Sequence, residues 1–343
     1  MIRVEAQNIV KLLIDKYNQE FKETLSLQSM QDELHFPYID TENKAVYVNN
    51  RTAVYILLYF FGSPELFNLY RLMYALYECQ QYDKGLEVYE MFQEKYSQQE
   101  DSIVNLINID PEWVISQFMF IMYHELAHYS FASNEVYKEL YYINCERNYK
   151  KEACIIRIFN KRLSEELKEE ISADAFAFNQ FESLIEMCKY DPMCIAVTCA
   201  SAMGCVYFLE YANRVNELLN PNVNGDFFNR TKDFTKNVLN AQLRIKMIDI
   251  LIRGVFEQYS LSEDAKKLYK ELVLPRVKQY NEGVNTDLYK YIQPYHRILL
   301  EGGSLDSDQV LGNRLREKLD SIENELIEIL NTALRKHDSP YKF

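Results

Sequence analysis

"DPEWVISQFMFIMYHELAHYSFAS", Asp110 to Ser133, is the stretch from which the architecture is read. Asp110 is placed to cap a helix, Pro111 fits the first helical position, and Glu112 puts an acid in the first turn. From Trp113 to Tyr123 the segment is almost wholly apolar, which predicts a helix buried on most sides. About four turns in come His124 and His128, two of only five histidines in 343 residues, with Glu125 between them. Four helical steps turn the chain through about 400°, so the two imidazoles share one face and stand one turn apart. Both can reach one metal ion, and Glu125 stands about 100° further round, beside it. A buried His-Glu-x-x-His pattern needs partners for its polar groups, and a metal supplies them.

Outward from this helix the chain reads as mainly α, with a small β element. Nine glycines and eight prolines in 343 residues leave room for long helices. "MIRVEAQNIVKLLIDKYNQE" (1–20) predicts an amphipathic first helix, because early mixed charges deny it the apolar core of a secretory signal. Phe36–Ile39 and Ala45–Val48, separated by "DTEN", predict a β-hairpin. Leu66 to Tyr96 resembles a single tetratricopeptide-like helical hairpin without further copies. A polar stretch with helical character, Asn134–Lys161, follows the central helix. Leu163, Leu167, Ile171, Phe178 and Ile185 then recur at helical spacing over Arg162–Cys188. Further helices are expected near Asp233–Tyr259, Ser262–Tyr280 and Leu305–Lys336, after a loop at Asn220–Arg230. No composition shift marks a linker. The expectation is one domain over 1–343, with an N-terminal helical and β-hairpin part (1–109), a catalytic helical part (110–219) and a C-terminal helical part (220–343).

Composition narrows the function. With 51 Asp and Glu against 38 Lys and Arg, the net charge of -13 opposes binding to nucleic acid or anionic lipid. Pro192 to Leu209 carries no charge over 18 residues; its Thr, Cys, Ser, Ala and Gly favour a buried central helix over a membrane span. The seven cysteines, odd in number and without CxxC spacing, read as free thiols in a cytoplasmic protein.

A zinc ion at a catalytic site takes three protein ligands and leaves a position open. The metzincin extension would need glycine and histidine where this chain has Phe131 and Asn134, which excludes that family. Downstream, "EEISADAFAF" places Glu170 and Asp174 four apart on one helix face, among small and apolar residues. Here the chain resembles the gluzincin metallopeptidases, whose second motif is E-x-x-A-D. Within that group it is similar to the Lit-like phage-exclusion peptidases or the membrane-bound helical enzymes. The resemblance covers His124 to Asp174. It implies a zincin-like helical domain, with Zn2+ held by His124, His128 and Glu170 and with Asp174 gripping a ligand histidine by its other ring nitrogen. Glu169 is the competing ligand, and the His-Pro element of many helical gluzincins is missing, since Asn220 precedes Pro221.

The implied activity is zinc-dependent endopeptidase chemistry on a protein or peptide substrate, with Glu125 as the proton carrier. His296 is one candidate oxyanion donor, alongside Tyr295, Arg297 and Arg230. Ala45–Val48 is expected to serve as an edge strand aligning substrate. The alternative is a non-enzymatic helical interaction protein with a structural or vestigial metal site, using the Tyr-rich helices of Leu66–Tyr96 as its binding surface.

Overall fold

The computed structural model describes residues 7–29, 37–48, 51–133, 164–187, 191–219, 227–282, 288–301 and 308–343. The fold is mainly α with a small β element. In chain order the first elements are β1 (Gln7–Asn8), α1 (Ile9–Phe21), β2 (Ser26–Ser29), β3 (Tyr38–Asp40), β4 (Ala45–Val48) and α2 (Arg51–Leu57). A π-helical turn, Leu58–Gly62, leads from α2 into α3 (Pro64–Glu78), followed by α4 (Tyr82–Ser97), α5 (Glu100–Ile109) and α6 (Glu112–Ser133). The second half holds α7 (Glu165–Met187), α8 (Pro192–Leu219), α9 (Phe227–Gln258), α10 (Glu263–Glu282), α11 (Leu288–Glu301), α12 (Gln309–Lys336) and β5 (Tyr341–Lys342).

The central helix α6 starts as its capping residues require: the Trp113 backbone N–H donates to Asp110 Oδ1 at 3.2 Å. Val114, Phe118, Ile121, Met122, Leu126 and Ala127 are all buried, so the helix is covered on most sides by α7, α8, α2, β3 and α1. α7 lies against it closely because both helices present small residues, Ala127 and Ala173, each fully buried. On another face of α7, Leu167, Ile171 and Ala175 pack with Met247 of α9. That contact sets the register of α9 on the site.

The apolar run from Pro192 forms the buried helix expected of it and continues ten residues past Leu209, carrying Glu210 and Arg214 inward. By length and composition it could cross a membrane, and 72% of its apolar window is buried within the protein. The hairpin also forms, with Tyr38↔Tyr47 and Asp40↔Ala45 in antiparallel register. A third strand, β2, pairs parallel with β4 from Ser26↔Ala45 to Ser29↔Val48, giving the order β2-β4-β3. Ala45–Val48 is therefore the central strand, and the expectation that it serves as an edge is corrected: β2, which lacks apolar alternation, covers that side.

Other expectations are corrected by packing. Leu66, Phe67, Tyr70, Met73 and Tyr74 are fully buried, so Tyr70 and Tyr74 belong to the core and not to a docking surface, while Tyr77, Tyr82 and Tyr89 are partly exposed. The segment Phe227–Arg230, read as loop, is the first turn of α9. α11 was unanticipated, since Pro294 lies inside it; burial of Tyr291, Ile292 and Leu299 against α3 and α8 outweighs a helix break that costs about 3 kcal/mol. Cys79, Cys199 and Cys205 are free, but Cys194, partly exposed at the start of α8, is disulfide-bonded. Cys145, Cys154, Cys188 and the stretch Asn134–Lys161 lie outside the described residues.

Candidate metal centre

Three helices build the site: α6 supplies the histidines, α7 the acids, and α9 an arginine. His124 Nε2 lies 3.2 Å from His128 Nε2. Glu170 closes the figure, with Oε2 at 3.3 Å from His124 Nε2 and Oε1 at 3.5 Å from His128 Nε2. Donors about 2.0–2.1 Å from one tetrahedral metal lie about 3.3–3.4 Å from each other, so the three edges fit a single ion. These three residues form the group among the described residues that could hold a metal.

The other ring nitrogen of each histidine faces an acid. His124 Nδ1 stands 2.9 Å from Asp174 Oδ1, although the contact is poorly aligned for a hydrogen bond. His128 Nδ1 stands 3.1 Å from Glu169 Oε1. Both arrangements turn Nε2 toward the centre of the triangle. Glu169 thus holds a histidine from behind, while Glu170 faces both Nε2 atoms.

Arg244 was missed by sequence reasoning. It is 2% exposed and grips Asp174 with both arms of its guanidinium, Nε to Oδ2 and Nη2 to Oδ1, each at 2.8 Å. Its Nη1 reaches Glu210 Oε1 at 2.7 Å and Glu170 Oε2 at 3.1 Å. A signal was present: buried Ala241, Ile248, Ile252 and Val255 recur at helical spacing, and Arg244 occupies a position of that apolar stripe. A charge in such a place needs buried acids.

The electrostatics follow from these contacts. Burial alone would raise the carboxyls of Glu170 and Asp174; Arg244 and the histidines reverse that and hold both low. Burial raises Glu210, with Arg244 opposing. His124 is disfavoured as a cation by burial, yet Asp174 and Glu170 push its pKa up to about 10; His128 is lowered by burial and by His124. Glu125 is raised by burial to about 7, with His124 and Arg244 opposing and Glu170 assisting. Glu170, Asp174 and Glu210 place three carboxylates around one guanidinium. Such an excess of buried negative charge is relieved by a cation, whether protons on the histidines or a divalent ion between them.

The site opens on one side. His124 is buried, but the side chains of His128 and Glu170 are 27% and 35% exposed, and a cleft of about 180 Å3 lined by Asn213, Arg214, Asn240 and Arg244 reaches Glu170. His296 lies on α11, which packs against α3 and α8; its side chain is outside the described residues, as is that of Arg230. Tyr295 is turned to Met91, its hydroxyl 3.9 Å from the sulfur.

The His124 to Asp174 motif pair is thus a spatial unit. Compared with protein-family models, with curated proteins and with solved structures, the chain matches none.

Proposed function

We propose that the chain is a zinc-dependent peptidase that hydrolyses peptide bonds of a protein or peptide substrate. The observation that carries this reading is the triangle of His124 Nε2, His128 Nε2 and Glu170, with edges of 3.2 to 3.5 Å. Two imidazoles and one carboxylate beside an open cleft make the donor set of a catalytic zinc ion, whereas a structural one is closed by a fourth protein ligand. When bound, zinc supplies a Lewis acid for the scissile carbonyl and for the attacking water.

The chain's own residues do the rest. Asp174 and Glu169 orient His124 and His128 from behind, and Arg244 keeps Glu170 and Asp174 ionised. Glu125 accepts the proton of the attacking water on its carboxylate and returns it to the leaving amine nitrogen. A carboxyl raised to about 7 suits a group that must take and give back a proton near neutrality. Asn213 and Asn240 share the cleft with Glu170 and are the donors to test first for stabilising the oxyanion.

The test compares cellular proteomes, by labelling of protein termini, with wild type and Glu125→Gln expressed. New termini that appear only with the wild type are expected, and they name the substrate. Identical termini in the two would sink the peptidase reading.

A further inference from the structure

The cleft beside Glu170, of about 180 Å3, is walled by the start of α7, by α8 and by α9. It is smaller than the roughly 300–1,000 Å3 of a small-molecule site, so it suits one side chain of a longer substrate and not a whole ligand. Its charged lining is Glu166 and Glu170 from α7, Glu210, Arg214 and Glu217 from α8, and Arg244 from α9.

The two cations do not offer their charge to the opening. The Arg214 nitrogens have almost no exposed surface, and Arg244 is 2% exposed and engaged with Asp174, Glu210 and Glu170. The acids do offer theirs. Glu166 and Glu217 are exposed, the Glu170 side chain is 35% exposed, and Glu166 stands in no ion pair with the described residues. Leu167, buried itself, adds an apolar surface to the cleft. Accessible carboxylates beside a short apolar surface match a side chain with a methylene stem and a cationic head.

We propose that this cleft selects a lysine or arginine side chain of the peptide substrate. The stem lies along Leu167, and the ammonium or guanidinium is drawn to Glu166 and Glu217. These two acids determine specificity, while the chemistry stays with the metal triangle and Glu125. The inference rests on the peptidase reading and names its substrate class, basic peptides, whose approach a net charge of -13 also favours.

Calorimetric titration of the zinc-loaded Glu125→Gln chain tests this without hydrolysis. The probes are three pentapeptides capped at both ends, alanines around a central lysine, norleucine or glutamate. The lysine peptide is expected to bind about tenfold tighter than the norleucine one, which has the same stem without the charge, and the glutamate peptide most weakly. Glu166→Gln and Glu217→Gln, both at exposed positions, are each expected to remove about three- to tenfold of that preference. A second arm reads the cuts made by the catalytically intact chain in a library of proteome-derived peptides, where lysine or arginine should recur at one fixed position from the cut. Lysine and norleucine peptides bound alike, or cuts without basic enrichment, would overturn the proposal and leave the peptidase reading intact. A lysine preference in binding with no cuts at all would sink the peptidase reading and leave the cleft's choice of a basic side chain standing.

Discussion

Two buried polar networks in this protein use similar residues to different ends. Around Glu323 of α12, Arg51 of α2 and the hydroxyls of Tyr70 and Tyr74 from α3 all donate to one carboxylate oxygen, and the Arg51 guanidinium lies 4.8 Å from the Tyr74 ring centre. One acid meets one base, and tyrosines satisfy what remains. Around Arg244, three carboxylates meet one guanidinium, and two imidazoles turn ring nitrogens toward a common point. The first network is closed and neutral, and it ties three helices together. The second carries more acid than its guanidinium can balance, and the surplus is met by a proton on a histidine or by a metal ion. The difference shows how a polar core is told from a site: by whether its charges and hydrogen bonds balance within the protein.

The predictions sharpen that contrast. The largest effect belongs to Glu125→Gln, expected to lower peptide hydrolysis by about 10²–10⁴-fold with zinc content unchanged, read by turnover of the substrate found by terminal labelling. Arg244→Met strips the counter-charge from buried Asp174 and Glu210 and from half-buried Glu170 and is expected to cost about 3–5 kcal/mol of stability, measured by urea unfolding of zinc-free protein. Added zinc should restore part of that loss, because a dication replaces part of the missing charge. Glu169→Gln and Asp174→Asn leave the triangle in place but loosen its histidines, so zinc affinity should fall about 10–100-fold in competition with a chelator. The smallest effect on the metal belongs to Glu323→Gln. It should lower stability by about 1–3 kcal/mol through weaker bonds to Arg51, Tyr70 and Tyr74, with zinc affinity unmoved. A change in zinc affinity there would erase the distinction between the two networks.

Much of the fold was legible because its signals were local. The cap at Asp110, the apolar run through Met122 and the uncharged run from Pro192 each announced a buried helix, and the hairpin was marked by its turn residues. What escaped reading depended on distant partners. β2, "SLQS", has no alternation of its own and exists because β4 offers a parallel edge. α11 survives Pro294 because its apolar face is buried by other helices. The same division runs through the site. His124, Glu125, His128, Glu170 and Asp174 declare themselves by spacing along two helices, whereas Glu169, read as the competing ligand, shows its place behind His128 only once α7 is laid against α6. Arg244 and Glu210 stand 70 and 34 residues from their partners; only their intrusion into apolar stripes hinted at a role.

The proposed activity stands or falls with metal binding at the triangle on α6 and α7. The most direct measurement is the zinc content of the purified full chain after loading and dialysis, wild type beside Glu170→Ala. About one zinc per chain in the wild type and close to none in Glu170→Ala is predicted. A wild type that retains no zinc, or a Glu170→Ala chain that holds as much as the wild type, would contradict it.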